Sequence, residues 1–367
     1  MLVHSVDSWL DFIPEPRLNE RRAFAAKPEL DLSFLDPFPK AYEAYYNDHF
    51  NWRNYFVNAN TYLNYHAFGQ SALPDKVIVG KGGWLFKSGF QLDMYRGKFQ
   101  FSRQQLASIT QALMRRKQAV EAIGGKYYLS IPPMKHHLYS EYLPDNVRRL
   151  NPESSAQQLA EYLQANSDLT YIDLFGPLEA LKQQQDRRLY LMTDHHWNDY
   201  AALYACKVLL DRLRLDFPEL SPLDLDQFTV DSVTYDGMLL AEMLGLEKEM
   251  RETLPVIRPK TPYTAENSKR DYPVPADFPY PLDYCKAKIT SKPNLPKLLM
   301  IRESFANPMV DILAEHFSES VFIFDNWKHQ FHADIVQQER PDIYIQFVWE
   351  GLIFNLLDDP PNEAGWD

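Results

Sequence analysis

Hydrophobic positions recur at helical spacing in two clear stretches. Between residues 102 and 123, Leu106, Ile109, Leu113 and Val120 fall on one face. Ser102 can cap the start of this helix, and Gly124-Gly125 stops it. Asn198 to Leu213 is a second amphipathic stretch, with Asn198 or Asp199 as its cap. Short apolar runs read as strands: Val77-Ile-Val-Gly80 and Trp84-Leu-Phe86 around a Lys-Gly-Gly turn, Lys126 to Ile131 ending at Pro132-Pro133, and Thr170 to Phe175. A helix at Gln157 to Ala165 separates the last two. Asn19 to Tyr65 shows no period-two pattern and reads as irregular chain leading into a helix around Phe38 to Phe56.

Late in the chain the alternation becomes regular. Strands are predicted at Lys297 to Ile301, Val321 to Phe324 and Asp342 to Val348, with helices at Pro308 to Phe317 and Ala333 to Gln338 between them. Strand–helix–strand alternation demands right-handed crossovers and a parallel sheet covered on both faces. The expected fold class is therefore α/β, a three-layer α/β/α arrangement with a mainly parallel sheet. Nine of the 26 prolines crowd between Pro255 and Pro296. That density is incompatible with long helices or central strands, so residues 252–296 are expected to wrap the surface as an extended insertion. The expected organisation is a lead-in over 1–76 packed on the core, a catalytic domain over 77–356 and a tail over 357–367.

Composition narrows the classes. The net charge of −12 opposes a general affinity for nucleic acid or an anionic membrane. Two cysteines, Cys206 and Cys285, allow at most one bridge and exclude a Cys-rich zinc site. No run reaches the ~18 consecutive apolar residues of a membrane span. Met1 to Pro14 lacks a basic start and carries Asp7 and Asp11, unlike a signal peptide.

Ligand sites in open α/β sheets gather at the carboxyl ends of strands. Ser304 falls just past the Lys297 strand, before Asn307-Pro308, which suits a helix cap followed by a first-turn proline. A hydroxyl on such a strand-to-helix turn lies close to helix-start amides, as a nucleophile forming an oxyanion requires. Taken alone, the segment reads as a helix cap. Thr193-Asp194-His195-His196-Trp197-Asn198 precedes the second amphipathic helix. Asp194 and His196 are two residues apart, so in an extended chain both side chains point the same way, and the carboxylate can fix the imidazole's tautomer. The other readings are a histidine cap, or a metal site from Asp194, His195 and His196, with His136-His137 as further donors. We expect no metal, because no third ligand motif stands nearby. Together, serine, histidine and aspartate form a nucleophile, base and orienter for acyl transfer.

These residues carry a family likeness. Asn19-Glu-Arg21, Tyr46-Asn-Asp-His-Phe50 with Arg53, Val77 to Phe86, Asp194-His-His-Trp-Asn198, Arg302-Glu-Ser-Phe305 with Ala-Asn-Pro308, and Pro341 to Gln346 with Glu350 stand in a characteristic order. In them the chain resembles the SGNH-hydrolase-like polysaccharide O-acetyltransferases typified by the alginate acetylation proteins AlgJ and AlgX. The resemblance implies Ser304 as nucleophile, His196 as general base and Asp194 as its partner, in an order permuted from ordinary SGNH esterases. It implies acetyl transfer through an acetyl-serine to a polysaccharide or oligosaccharide acceptor, with no cofactor. The donor would be supplied through a membrane-bound O-acyltransferase, at a periplasmic or extracytoplasmic location, with room for an inner-membrane anchor outside this sequence. An acetyl esterase with the same triad, or a catalytically idle glycan-binding scaffold, are the competing readings.

Arg302 and Asn307 are candidates to hold the oxyanion or substrate. Lys135 could meet a substrate carboxylate or donor, and Trp84, Trp197 or tyrosines of the proline-rich arm could stack on sugar rings. Two positions depart from the family pattern: Glu303 stands where Asp is usual, and Glu350-Gly351 lacks a frequent Glu-Arg. With ten residues after Leu357, the chain is expected to resemble the single-domain AlgJ type.

Overall fold

The computed structural model of the chain describes residues 23–31, 36–50, 52–184 and 187–357. The Asn19-Glu-Arg21 block and the tail beyond 357 lie outside the described residues. Two small antiparallel ribbons flank the main sheet: β1 (Val77–Val79) with β2 (Leu85–Lys87), and β5 (Phe228–Tyr235) with β6 (Glu252–Pro259). The main sheet has seven strands: β3 (Lys126–Ile131), β4 (Thr170–Asp173), β7 (Glu266–Ser268), β8 (Cys285–Ile289), β9 (Leu298–Arg302), β10 (Glu319–Phe324) and β11 (Ile343–Phe347), in the spatial order β4-β3-β11-β9-β10-β8-β7.

Strands β4, β3, β11, β9 and β10 are parallel throughout. Ile301 of β9 stands opposite Ile323 on one side and Gln346 on the other, so the carboxyl ends of these strands meet along one edge. Their residues are apolar runs, as double burial requires: Leu299, Met300 and Ile301 are fully buried. The helix Arg103–Glu121 starts at Ser102, whose hydroxyl accepts from Gln105 N while the Gln105 side chain returns to Ser102 N. Its predicted face is the buried one, and Asn198 caps the helix Asp199–Leu213 through Ala201 N.

The proline-rich segment departs from expectation. It does not only wrap the surface: β7 and β8 extend the main sheet in antiparallel sense, and β6 pairs with β5 over its whole length. The prolines explain how. None lies within β7 or β8, while Pro255 and Pro259 fall in a two-stranded ribbon, where each strand has an edge free of ladder bonds. The sheet is thus mostly parallel with an antiparallel margin. The single helix expected at Phe38 to Phe56 is two, Phe38–His49 and Arg53–Phe68, parted near Trp52 in left-handed backbone. Cys206 and Cys285 are separate free thiols. Among the described residues no helix is long and apolar enough to cross a membrane.

Candidate active site

β9 ends at Arg302, and Ser304 opens a 3-10 helix, Ser304–Met309, that continues as Val310–Ala314. The cap is Glu303, whose Oε2 accepts from Phe305 N at 2.7 Å. Asn307 and Pro308, expected as cap and first helical residue, lie inside this turn instead. The 3-10 helix starts four residues earlier because the Glu303 side chain takes the orphan amide. Ser304, as the first helical residue, keeps an N–H that no intrahelical carbonyl can take. The hydroxyl sits beside it, half-exposed.

The histidine loop is irregular. Leu189 and Asn198 close it, with Asn198 N donating to Leu189 O at 2.9 Å and a single bridge between Tyr190 and Trp197. Asp194 and His196 are brought together by a turn, not by the extended chain expected. Asp194 Oδ1 accepts from His195 N (2.5 Å) and His196 N (3.1 Å), which wraps the carboxylate over its own backbone. The same oxygen accepts from His196 Nδ1 at 2.9 Å, and Ser304 Oγ donates to His196 Nε2 at 2.8 Å. An ionised carboxylate only accepts, so Nδ1 carries the proton and Nε2 presents its lone pair to serine.

Burial raises the Asp194 carboxyl, but the two imidazoles outweigh it and hold the group well below the usual carboxylate range. His195 is pushed down to about 3 by burial and stays neutral. It is nearly closed off from solvent, whereas the His196 side chain is 24% exposed, so His196 alone can exchange protons with a bound reactant. Next to serine, burial pushes Glu303 up to about 7, against the opposing Phe305 amide and the positive groups nearby. The Phe305 ring lies under His196 at 4.9 Å and is itself covered by Trp349, stacked at 5.1 Å.

Asp194, His195 and His196 offer ligand atoms within 4.8 Å of one another, the arrangement a divalent cation would need. Asp194 Oδ1 is already surrounded by N–H donors, however, and a cation there would have to displace the His196 Nδ1 proton. The buried Lys135 ammonium nearby adds repulsion.

Three candidates read from the sequence take other places. Lys135 is not a solvated or substrate-facing lysine: it is 1% exposed, and Nζ donates to the carbonyls of Leu85 (2.5 Å), Met192 (2.8 Å) and Asp194 (2.9 Å). Those three acceptors use all three ammonium hydrogens, although burial lowers its pKa to about 7. Arg302 is fully buried and donates to the Asn307 side-chain oxygen and to Asp283 O. Trp197 is buried, with Nε1 donating to Phe305 O at 2.8 Å, so neither it nor the buried Trp84 can stack on a sugar. Asn307 is exposed, as are Tyr263 and Tyr280 of the proline-rich arm.

Sequence reasoning missed Glu252. Its carboxylate accepts from Met192 N (2.8 Å), Thr193 N (3.1 Å) and the Thr193 hydroxyl, and pairs with Arg188 at 3.2 Å. It also missed the Glu350–His137 pair, in which Glu350 Oε2 accepts from Met134 N and His137 Nδ1. Both join residues far apart in the chain, which no local pattern records.

A mostly parallel sheet with a serine, a histidine and an aspartate at its carboxyl edge is the arrangement of an α/β serine-hydrolase-like protein. The family model of the SGNH hydrolase-like domain of the acetyltransferase AlgX matches residues 77–272, more than half of the chain, and the chain belongs to this family. The match includes the Asp194–Trp197 block and stops before Ser304. The chain is 31% identical over 170 residues to the probable alginate O-acetylase AlgJ of Pseudomonas syringae pv. tomato, an alignment covering 46% of this chain and 41% of that protein. The chain thus spans about two-fifths of the curated relative it matches. Among solved structures it is similar in fold to Bacillus cereus PatB1 with a sulfonyl adduct (TM-score 0.55, 17% identity, 78% of this chain and 97% of that one). It is likewise similar to a DHHW family protein from Eubacterium siraeum (TM-score 0.53, 18% identity, 77% and 96%).

Proposed function

We propose that the protein is an O-acetyltransferase that moves acetyl groups onto hydroxyls of an exported or cell-surface polysaccharide through an acetyl-serine. The observation that carries the reading is the unbroken row from Asp194 Oδ1 through both His196 nitrogens to Ser304 Oγ, at 2.9 and 2.8 Å. Family membership and the relative named an alginate O-acetylase support the acetyl chemistry and a polysaccharide acceptor in general.

Ser304 Oγ attacks the carbonyl carbon of an acetyl donor while its proton passes to His196 Nε2. The imidazolium is stabilised by Asp194, which stays ionised. The oxyanion lies against the free Ser304 N–H; Phe305 N is engaged by Glu303 and does not contribute. Collapse returns the proton from His196 to the leaving group and leaves acetyl-serine. A sugar hydroxyl then gives its proton to His196 and attacks the ester carbonyl, and the Ser304 oxygen regains a proton as it leaves. The donor is delivered in the extracytoplasmic space by a membrane-bound acyltransferase.

Intact-protein mass spectrometry after exposure to 4-nitrophenyl acetate tests the reading. One acetyl group is expected on wild-type protein at Ser304, discharged to an added oligosaccharide, with transfer reduced at least ~10³-fold in Ser304→Ala. Acetylation persisting in Ser304→Ala removes serine from the mechanism. Acetate release with no acetylated sugar turns the transferase into an esterase.

A further inference from the structure

We propose that the acceptor is a glycan chain without net charge, and that it lies in the groove between the nucleophile helix and strands β7 and β8. The inference rests on Ser304 being the acetyl carrier. Side chains three apart in a 3-10 helix eclipse one another, so Asn307 stands on the same face of Ser304–Met309 as Ser304 itself. Asn307 is exposed, and its orientation is set from below. Arg302 can only donate, so it draws in the Asn307 oxygen and leaves the two Nδ2 hydrogens facing outward as donors.

From Asn307 a groove of about 410 Å³ runs on. Asn307, Val310 and Asp311 form one wall, and Ser268, Lys286 and Lys288 the other. Its direction is fixed by the sheet. β8 is antiparallel to β10, with Cys285 opposite Ile323, so the β8 end of the groove nearest Cys285 shares the sheet edge at which Ser304 sits. Leu282, 95% exposed, stands at that end as an apolar contact. β8 and Leu282 lie beyond the residues matched by the family model, whereas Ser268 of β7 lies within them, so most of this wall is not part of the matched pattern.

The charge in the groove is balanced. Lys286 Nζ pairs with Asp283 at 2.9 Å and Lys288 Nζ with Asp311 at 2.7 Å. A uronate chain would meet lysines whose charge an aspartate already offsets, in a protein of net charge −12. Amide and hydroxyl groups between paired charges, with lysine stems as apolar walls, instead suit the hydroxyls and C–H faces of a neutral sugar chain.

Calorimetric titration of the Ser304→Ala protein separates binding from chemistry. A neutral gluco-oligosaccharide is expected to bind at least ~10-fold more tightly than a uronate oligosaccharide of the same length, and Ser268→Trp, which fills the groove, is expected to weaken it by ~10-fold or more. In otherwise wild-type protein, Asn307→Ala is expected to raise the acceptor KM far more than it lowers kcat. Equal affinity in Ser304→Ala with and without Ser268→Trp overturns the groove, and preference for the uronate overturns the neutral acceptor. A wild-type protein that takes no acetyl from 4-nitrophenyl acetate overturns the reading of Ser304, whereas the titration still judges the groove.

Discussion

The two halves of the serine–histidine pair are built in opposite ways. The serine half is mostly local: β9 runs straight into the 3-10 turn, Glu303 caps a residue two positions on, and Arg302 reaches one five positions on as well as Asp283 O. The imidazole half sits on an irregular loop whose backbone groups have no ladder to join. Two buried charges of opposite sign serve it instead. Lys135 takes the carbonyls of Met192 and Asp194, while Glu252 takes the amides of Met192 and Thr193. A strand end and a helix start position a hydroxyl chiefly through neighbours in sequence. An imidazole on a loop must borrow rigidity from distant residues, because every buried backbone donor and acceptor needs a partner.

The largest effect should come from cutting that borrowed support. Lys135→Met removes one ammonium and leaves three buried carbonyls facing an apolar chain, and strips Asp194 of a neighbouring cation. Losing one partner of a buried charged network costs about 3–5 kcal/mol. A misplaced Asp194–His196 pair should also lower kcat by ~10²-fold. Urea unfolding and steady-state transfer assays measure both. Full activity and stability in Lys135→Met would erase the distinction between the halves.

The same contrast governs how much the sequence disclosed. The parallel core was legible because β9, β10 and β11 are short apolar runs bounded by helix signals, and the serine, histidine and aspartate stand at their carboxyl edge in recognisable blocks. The pairing of Asp194 with His196 was legible, but not its cause, since alternation along a strand and a carboxylate-capped turn bring residues i and i+2 together equally well. Lys135 read as a substrate-facing lysine because nothing near Pro133-Met134 signals its burial, and its partners lie some 50 residues or more away along the chain. Prolines marked the arm as irregular, yet β8 contains none and is free to join the sheet.

A smaller effect tests the local half. Glu303 has its folded-state pKa raised from 4.5 to about 7, chiefly by burial. Between those values the unfolded chain has released the proton while the folded chain keeps it. Stability therefore falls as pH rises through that window and levels off above it. Glu303→Gln keeps an oxygen for Phe305 N but cannot ionise. Relative to wild type it should gain up to about 3 kcal/mol between pH 5 and pH 8, read from urea midpoints at the two values. A wild-type-minus-variant difference that does not change with pH would place the carboxyl in water, not under the nucleophile turn.

The smallest effect concerns a second hydrogen bond that ties the halves directly, beside the one between Ser304 and His196. Trp197 Nε1 donates to Phe305 O, joining the histidine loop to the residue after the nucleophile. Trp197→Phe deletes that donor while keeping most of the buried ring that meets Phe305 at 5.3 Å. Leaving one buried carbonyl unpaired, together with the smaller ring, should cost about 1–3 kcal/mol, with stability lowered modestly and the acetyl-serine still formed. The informative quantity is its coupling to Lys135→Met. If the loop is held as one unit from both sides, the double variant should depart from additivity by ~0.5 kcal/mol or more. Simple additivity would mean that Lys135 and Trp197 brace separate pieces, and that the loop bearing His196 is not a single rigid body.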